Sequence, residues 1–355
     1  MPNPDKPLRR PRYHGKNPRQ FHEKYKELQP ELYKEDIAKV IAAGKTPAGT
    51  HRPIMIAEVL EILNPHAGET ALDCTLGYGG HGTELLKAIQ PGGRLIGLDT
   101  DSIELPKTEA RLRSQGFPEE SLLVRRSNFA AVAGIIAELS PGGVDLLLAD
   151  LGVSSMQIDD PSRGFTFKTA GPLDMRLNPS KGRTASELLT ELDTFTLAQI
   201  LSENADEPRA LEVASAIRAA QVRQPLTTTQ SLAKVVLNAY KPFSRRSEID
   251  PDDAVRRVFQ ALRIAVNDEF GALSALLRSL PACLKPEGRV AILSFHSGED
   301  RRVKLAFRDG LGDGTYSAVS DEIIRASPEE RRANPRSSSA KLRFAIRSSV
   351  PFARR

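Results

Sequence analysis

Long apolar runs and paired cysteines are both missing from this 355-residue sequence. No apolar segment approaches the roughly 20 residues that a membrane-spanning helix needs, and the N-terminal residues lack the apolar core of a signal peptide. The two cysteines, Cys74 and Cys283, are too few for a disulfide framework and form no C-x-x-C metal-binding pattern. We therefore expect a protein of a reducing cytoplasm, without a membrane partner and without a bound metal.

Positive charge is concentrated at the N-terminus. Residues 1–30 contain eight Lys and Arg against three acidic residues, and this surplus of five equals the formal net charge of +5 for the whole chain. Large apolar residues are few there, which predicts a partly disordered basic extension over residues 1–45. Such an extension is either a solubilising tail or an arm that follows phosphate groups, and its composition leaves both open.

Short apolar runs alternate with segments of helical periodicity, which predicts a parallel sheet wrapped by helices, the α/β class. The predicted strands are residues 70–77, 93–99, 121–129, 144–152, 289–297 and 340–348. A long helix or helix pair is predicted over residues 254–284, and the segment KPEG that follows it is predicted to be a turn. After the fourth strand only helical patterns follow, as far as about residue 250, so we predict an inserted all-helical domain that recognises the substrate. The expected boundaries are 1–45 for the extension, 46–155 and 251–355 for the two parts of the α/β domain, and 156–250 for the insert.

A G-x-G-x-x-G pattern, Gly77, Gly79 and Gly82, lies between the first strand and the next helix. Its glycines let backbone N–H groups approach a nucleotide, and Asp99, at the end of the second strand, is placed to accept hydrogen bonds from ribose hydroxyls. Both dinucleotides and S-adenosylmethionine fit this spacing. The acid before the turn, Asp73, is typical of S-adenosylmethionine-dependent methyltransferases, although it could instead cap a helix, and the histidine of the turn could be an ordinary helical residue.

The fourth predicted strand ends in a carboxylate, Asp150, after the apolar run DLLLA. An ionised side chain in a buried strand is costly unless it is paired or solvated, so a functional role is favoured over a structural one. Gly152 and Ser154 make the following turn tight and polar. In an open α/β sheet this strand end faces the ligand crevice, which makes Asp150 the candidate catalytic residue.

Seven longer segments carry a family resemblance. They are HRPIMIAEVL, DCTLGYGGHG, LLADLGVSSMQIDDPSRGFTF, GPLDMRLNPSKGRTASELL, RRVFQALRIAVNDE, GRVAILSFHSGEDRRVK and NPRSSSAKLR. Together they closely resemble the bacterial 16S ribosomal RNA cytosine-N4 methyltransferases, a family also called RsmH or MraW. The resemblance runs from about residue 50 to residue 348, in the same order and with similar spacing. The first 45 or so residues have no counterpart that we can place.

The resemblance implies a class I S-adenosylmethionine-dependent methyltransferase, with a Rossmann-like sheet wrapped by helices and an inserted helical domain. It implies methyl transfer from S-adenosylmethionine to the exocyclic N4 amine of a cytidine in the decoding region of 16S rRNA, with the small ribosomal subunit as the partner. The residues that match the family's cofactor contacts are Gly79, Gly80, His81, Asp99, Phe129, Asp150 and Gln157.

Three positions depart from the family pattern. Gly82 stands where serine is common, which creates the dinucleotide-like glycine spacing. Met156 replaces a proline, and Gly298 stands where leucine is expected, which predicts a looser loop. These departures concern the RNA contacts more than the cofactor site.

A chemical role follows for Asp150. The exocyclic amine of cytosine is a poor nucleophile because its lone pair is delocalised into the ring, and a hydrogen bond accepted from that amine favours a lone pair directed at the methyl group. Asp150 and a backbone carbonyl of residues 151–153 are the expected acceptors, and positioning supplies much of the rest. Methylation of cytosine C5 would need a cysteine thiolate, but neither Cys74 nor Cys283 belongs to the fourth-strand turn.

Three residues are predicted to bind the substrate. Phe295, at the end of the fifth predicted strand, offers an aromatic face for an unstacked base. His296 follows it, and Arg163 could hold a phosphate. Phe165 and Phe167 are further aromatic candidates. For each aromatic residue core packing is an equally good interpretation, and His296 could equally be a satisfied structural histidine.

Two other functions stay open. A nicotinamide-dependent dehydrogenase would share the glycine pattern and Asp99, although no hydride-transfer site is evident. A noncatalytic RNA-binding protein of ribosome assembly would keep the fold and the basic surface, although the intact segment DLGVSS argues against it. The sequence also leaves the oligomeric state open between monomer and homodimer.

Overall fold

The computed structural model describes residues 53–242 and 250–349. All of them belong to one compact unit that spans residues 52–355. The predicted N-terminal extension, residues 1–45, lies outside the described residues. None of the described helices is both long enough and apolar enough to cross a bilayer.

Seven strands form one sheet in the order β3-β2-β1-β4-β5-β7-β6. They are β1 Thr70–Asp73, β2 Arg94–Asp99, β3 Leu122–Arg126, β4 Val144–Asp150, β5 Leu284–Ser294, β6 Tyr316–Val319 and β7 Lys341–Arg347. Strands β1 to β5 run parallel to one another, whereas β7 runs antiparallel to both β5 and β6. The predicted α/β class is confirmed.

The α-helices of the described residues are numbered in chain order. They are α1 Ile56–Leu63, α2 Gly80–Ile89, α3 Leu105–Arg113, α4 Val132–Leu139, α5 Ser155–Asp159, α6 Ala185–Glu191, α7 Thr194–Ala205, α8 Ala210–Arg223, α9 Thr229–Tyr240, α10 Pro251–Asn267, α11 Glu269–Cys283, α12 Ser297–Gly312 and α13 Pro328–Ala333. Most of them match the helical segments that the sequence pattern predicts.

Helices cover both faces of the sheet. Leu72 and Ile96 belong to a core that includes α4, α11 and α12, whereas Ala71 and Leu95 belong to a core that includes α1, α2 and α3. Neighbouring residues of one strand enter different cores because side chains alternate across a strand. A sheet buried on both faces needs apolar residues at nearly every position, which is why these strands appear as continuous apolar runs in the sequence.

Three strands differ most from the expectations. β1 ends at Asp73, whereas its predicted strand runs to residue 77. The sequence pattern does not predict β6, whose four residues, YSAV, are too few to show an alternation. β5 begins at Leu284, earlier than the predicted start at residue 289. Val144 pairs with Leu284 and Leu146 pairs with Arg289, so the segment KPEG, predicted as a turn, forms an irregularity inside the strand.

Helices α6 to α10, which we call the helical unit, pack around a hydrophobic core separate from the two cores of the sheet. Between β4 and β5 the described residues form no strand, and one isolated bridge joins Pro172 to Thr228. The helical segment predicted over residues 254–284 is two helices, because Asp268 adopts a left-handed φ of 48° that ends α10. α10 packs in the helical unit although it follows the expected boundary at residue 250, whereas α11 packs on the sheet.

The entry and the exit of the helical unit meet at one place. Oδ1 of Asn267, the last residue of α10, accepts a hydrogen bond from the backbone N–H of Leu177 at 2.8 Å. Nδ2 of Asn267 donates to the carbonyl oxygen of Met175 at 2.8 Å. We call residues 174–177 together with Asn267 the neck. The side chain of Asn267, where the chain leaves the helical unit, is thus hydrogen-bonded to the backbone of the segment by which the chain enters it.

A crowded glycine lies on the way to the neck. Gly164 has a left-handed φ of 74°, and a Cβ there would lie 2.3 Å from the carbonyl oxygen of Pro172 and 2.8 Å from the backbone nitrogen of Asp174. Gly182 has a similar φ of 85°, but a Cβ there would meet no atom within 4 Å. Comparing a substitution at Gly164 with one at Gly182 therefore distinguishes the free-energy cost of the left-handed backbone from the cost of the close contact.

We expect Gly164→Ala to destabilise the protein more than Gly182→Ala. Both substitutions carry the cost of a left-handed residue, about 1–2 kcal/mol. Only at Gly164 must backbone atoms also move apart, which typically adds about 1–3 kcal/mol. Urea unfolding of the two variants measures the difference in the free energy of unfolding. Equal losses would mean that the Pro172 segment moves away without cost.

Candidate active site

The crevice of the sheet lies where β1 and β4 are neighbours. β1 is followed by β2 on one side of this pair and β4 by β5 on the other, so the strand order reverses between them. Ligands of open α/β sheets bind outside the carboxyl ends of the strands at such a point. Backbone hydrogen bonds fix the loop after β1 there, from Cys74 N–H to the carbonyl of Leu148 and from Leu76 N–H to the carbonyl of Leu98, each at 2.8 Å.

Asp99 ends β2 and contacts the glycine turn. Its Oδ2 accepts a hydrogen bond from the backbone N–H of Gly77, and its Oδ1 accepts one from the backbone N–H of Asp101, both at 2.8 Å. Burial raises the pKa of Asp99, and these donors partly offset that rise. A carboxylate has about four acceptor positions, so Asp99 can also accept hydrogen bonds from a pair of ligand hydroxyls.

The glycine turn depends on left-handed backbone. Gly77 has a φ of 48° and Gly79 a φ of 74°, and Gly79 is the N-cap of α2. A Cβ on Gly79 would lie 3.0 Å from Cγ2 of Thr108, and one on Gly80 would lie 2.7 Å from Cγ of Pro53. Glycine is thus required for the packing of this turn, and a ligand can approach its backbone without meeting side chains of these residues.

Asp73, the last residue of β1, is almost completely buried. Its Oδ1 accepts a hydrogen bond from the backbone N–H of Thr75 at 3.0 Å, and its Oδ2 has no partner. Burial, with a smaller contribution from Asp99, raises the pKa of Asp73 to about 7. No side chain caps α2, so the alternative that Asp73 is a helix cap does not hold.

Asp150 ends β4 on the other side of the crevice. Its Oδ1 is buried without a hydrogen-bond partner, although 28% of its side chain is exposed. Burial, together with the nearby Asp73 and Glu299, raises the pKa of Asp150 to about 8. Its backbone N–H donates to the hydroxyl of Thr75 at 2.7 Å, which joins the end of β4 to the loop after β1.

His81 lies in the first turn of α2, beside Asp150. Its Nε2 is 3.0 Å from the carbonyl oxygen of Ile54, and its Nδ1 is 3.6 Å from Oδ2 of Asp150. Because a carbonyl oxygen only accepts, Nε2 carries the proton and Nδ1 is bare. Burial lowers the pKa of His81 to about 4, so the imidazole is neutral and supplies no positive charge to the crevice.

Gln157 and Phe129 follow the ends of β4 and β3, respectively. Ser154 and Gln157 form a capping box at the start of α5, and Nε2 of Gln157 donates to Oδ2 of Asp101 at 2.8 Å. Phe129, in the short turn after β3, packs partly buried against the core that includes α4. Asp101 is not among the residues predicted from the sequence; the second acid of LDTD, two residues after Asp99, is the only signal for it.

Of the predicted substrate residues, Phe295 borders the crevice. A Cβ on Gly152 would lie 3.9 Å from Cδ2 of Phe295, so this ring lies next to the turn that follows Asp150. His296 is largely buried, and its Nε2 lies 3.2 Å from Oε1 of Glu299. This contact helps to hold the pKa of Glu299 below its usual value, and Nδ1 of His296 has no hydrogen-bond partner within the described residues.

The other three candidates lie on the segment that leads from α5 to the neck. Arg163 is 11% exposed, and its Nη1 donates to Oδ2 of Asp101 at 2.9 Å. Phe165 and Phe167 both pack against the core of the helical unit, and the ring of Phe167 meets that of Phe259 edge-on at 5.4 Å. The geometry favours core packing as the role of these two rings.

Three side chains near the end of β5 have the chemistry of metal ligands. Glu269, His296 and Glu299 bring one ligand-type atom each within 4.8 Å of one another. Arg263, however, already donates to both carboxylate oxygens of Glu269, at 2.8 Å each. A divalent cation among these groups would meet that guanidinium, so the arrangement favours an internal ion-pair cluster.

Over residues 48–348 the chain matches a family model described as the MraW methylase family. It belongs to that family. This membership confirms the class I methyltransferase fold, the methyltransferase activity and S-adenosylmethionine as the cofactor. It gives no support to the nicotinamide dehydrogenase or to a noncatalytic RNA-binding protein.

Two relatives of this MraW methylase match nearly its whole length. Ribosomal RNA small subunit methyltransferase H 2 of Alkaliphilus metalliredigens is 47% identical over 347 residues, which cover 97% of this chain and 99% of that relative. Ribosomal RNA small subunit methyltransferase H 1 of Lachnoclostridium phytofermentans is 47% identical over 342 residues, which cover 96% of this chain and 93% of that relative. The first match includes most of the N-terminal extension, so the expectation that this extension has no counterpart is wrong.

The departures from the MraW pattern have local packing reasons. A Cβ on Gly82 would lie 2.8 Å from Cδ1 of Leu76, and Met156 is buried in α5. A Cβ on Gly298 would lie 2.7 Å from Cζ of Phe270, and the guanidinium of Arg302 lies 3.5 Å from the centre of that ring. Phe270 fills the space that leucine would occupy, and Gly298 lies in the first turn of α12 rather than in a loop.

We expect the His81 imidazole to stay neutral between about pH 5.5 and pH 8, because its pKa of about 4 lies well below the ordinary value near 6.5. Long-range proton–nitrogen NMR spectra of histidine-labelled protein, assigned with His81→Gln, are expected to show a protonated Nε2 and a bare Nδ1 throughout. A His81 signal that titrates near pH 6.5 would contradict the buried, carbonyl-bonded tautomer.

Proposed function

We propose that this protein transfers a methyl group from S-adenosylmethionine to the exocyclic N4 amine of a cytidine in the decoding region of 16S rRNA. The observation that carries the chemistry is the carboxyl of Asp150, which ends β4 at the crevice with one buried oxygen that has no partner. The RNA class rests on the relatives, which are named small subunit rRNA methyltransferases. The nucleotide and the N4 position rest on the sequence motifs.

The chain's own residues fit the cofactor. Asp99 is held by two backbone N–H groups and keeps acceptor capacity for the ribose hydroxyls. The turn at Gly77 and Gly79 opens the backbone to a ligand. S-adenosylmethionine, when bound, supplies an electrophilic methyl group on a cationic sulfonium. Gly80, His81, Phe129 and Gln157 are proposed to complete this site.

Charge also supports a cationic ligand. Asp73 and Asp150 each have a buried oxygen without a partner, and burial favours their neutral forms. A positive charge close to a carboxyl favours its ionised form. Since His81 is neutral, a positive charge bound in the crevice is stabilised by both carboxylates, whereas a neutral thioether in the same place is not.

Asp150 is the proposed catalytic residue. In its ionised form it accepts a hydrogen bond from the N4 amine, together with a backbone carbonyl of residues 151–153, and so directs the nitrogen lone pair at the methyl group. The base must leave any stack to reach this point, and Phe295, beside Gly152, offers a flat surface of the kind that contributes about 1–3 kcal/mol per stacked base. His296 stays a predicted contributor to substrate binding, whereas the hydrogen bonds that the Arg163 guanidinium makes within the described residues go to acceptors inside the fold.

A cysteine-based route to C5 methylation is poorly supported. Cys74 and Cys283 are both buried, and burial raises the pKa of the Cys283 thiol to about 11 and that of Cys74 as well. Thiolates are the reactive form of cysteine, and neither thiol is favourably ionised near neutral pH. The assembled small subunit as the substrate form, recognition by the helical unit, a cytoplasmic location and a monomeric or homodimeric state all stay predictions.

We expect Asp150→Asn to reduce the rate of methyl transfer by at least about a hundredfold, the size of effect seen when one oriented polar group is removed from an active site. The assay incubates the variant with labelled S-adenosylmethionine and small ribosomal subunits that lack the modification, and identifies labelled N4-methylcytidine by mass spectrometry. Asp321→Asn, at an exposed position, is the control. Near-normal turnover in the Asp150 variant would remove this residue from the mechanism.

We expect S-adenosylmethionine to bind more tightly as pH rises from about 6 to 8.5, because Asp73 and Asp150 ionise with pKa values of about 7 and about 8. S-adenosylhomocysteine has no sulfonium charge, so its binding should gain less. The dissociation constant of S-adenosylhomocysteine divided by that of S-adenosylmethionine should therefore rise by about tenfold over this range. Titration calorimetry of both ligands measures it. A ratio that stays constant with pH would exclude the carboxylates as partners of the sulfonium.

A further inference from the structure

Arg163 is enclosed by acceptors from two different parts of the protein. Its Nη1 donates to Oδ2 of Asp101 at 2.9 Å. Its Nη2 donates to the carbonyl oxygens of Arg176 at 3.2 Å and Leu177 at 2.8 Å. The guanidinium also lies 5.9 Å from the centre of the Phe165 ring. With 11% of the side chain exposed, its hydrogen-bonding capacity is directed inward.

The acceptor on the sheet side, Asp101, belongs to the cofactor edge. Its Oδ1 accepts from the backbone N–H groups of Ile103 and Glu104, and its Oδ2 is shared by Arg163 and Gln157. Burial alone would raise the pKa of Asp101, but the hydrogen bonds from Arg163 and Gln157 outweigh it and the pKa lies below its usual value. Asp101 is therefore a buried anion that depends on these two partners.

Asp101 in turn holds the acid proposed to bind ribose. Its own backbone N–H donates to Oδ1 of Asp99 at 2.8 Å. Arg163, Asp101 and Asp99 thus form one series of hydrogen bonds, in which Asp101 contacts both of the others.

The acceptors on the other side belong to the neck. Arg176 and Leu177 offer their carbonyl oxygens to Arg163, while the backbone N–H of Leu177 is bound by Asn267 at the end of α10. Movement of α10 would therefore shift Leu177 and change its hydrogen bond with the Arg163 guanidinium. A guanidinium is planar and has several donors in fixed directions, which suits it to join a carboxylate to two carbonyls.

We propose that Arg163 is a positioning residue that couples the cofactor edge to the helical unit, and that it acts on the RNA through the neck. The inference rests on the proposed function, because it assigns Asp99 to the cofactor and the helical unit to the substrate. Cofactor binding orders Asp99 and Asp101, and Arg163 transmits that order to the segment that carries the helical unit. Because the coupling through Arg163 acts in both directions, an ordered helical unit in turn favours cofactor binding.

The test compares Arg163→Ala, Arg163→Lys, Asp101→Asn and the double variant Asp101→Asn with Arg163→Ala. Arg183→Ala removes an exposed arginine paired with Glu191 and is the matched control. For each protein, titration calorimetry gives the dissociation constant of S-adenosylmethionine. Binding of a 16S rRNA fragment at several salt concentrations gives the salt slope. Thermal melting reports which variants are folded.

Loss of one charge-assisted hydrogen bond is expected to weaken S-adenosylmethionine binding by about tenfold in Arg163→Ala. Arg163→Lys keeps the charge but not the fork, so it should recover only part of this loss. The double variant should be no weaker than the worse single variant, because both substitutions break the same link. The salt slope for RNA should equal that of the wild-type protein, since a positioning residue neutralises no phosphate.

Three results would overturn the proposal. A salt slope reduced by about 0.7, the value for one phosphate of a single strand, with unchanged cofactor affinity would make Arg163 a phosphate contact. A lower melting temperature with unchanged cofactor affinity would make it merely structural. Independent, additive losses in the double variant would separate it from Asp101. If the wild-type protein itself fails to bind S-adenosylmethionine, the proposed function fails instead, which is a distinguishable outcome.

Discussion

Two carboxyl groups that are wholly or partly buried, at the ends of adjacent parallel strands, set the conditions for the rest of the site. Asp73 and Asp150 each keep a buried oxygen without a partner, and burial raises both pKa values. Among the ion pairs of the described residues none joins either group to a Lys or an Arg, and the neighbouring His81 is neutral. Because a buried anion is stable only beside an opposite charge, the crevice is suited to a ligand that brings positive charge with it.

The sheet was predictable because its strands are buried on both faces. Runs such as LIGLD and VDLLLAD are apolar at nearly every position, so the strands are recognisable as continuous apolar runs. The order of strands and helices follows from the positions of these runs. β6 escaped prediction because it is short and lies at the sheet edge, where the pairing with β7 creates the strand. The irregularity at KPEG likewise exists only because two of its flanking residues pair with β4. Tertiary contacts, rather than local preference, decide such elements.

The site was predictable to the extent that its residues end strands. Asp99 and Asp150 could be found because a charge after an apolar run is conspicuous. Asp101 could not, since its importance comes from partners 56 and 62 positions away in the chain, Gln157 and Arg163. Arg163 was predicted to hold a phosphate because the sequence does not show whether a guanidinium finds acceptors inside the fold. Phe167 was ambiguous for the same reason, and its contact with Phe259 depends on α10.

The neck has a consequence for how this architecture can change. Entry and exit of the helical unit are bound to each other by Asn267, so the unit closes on itself before the chain returns to the sheet. Its helices share one core that excludes the strands. Insertions and deletions between the two sides of the neck need not change the pairing of β4 with β5. The neck thus separates a helical unit that can vary from the strand ends of β1 and β4, whose positions do not depend on it.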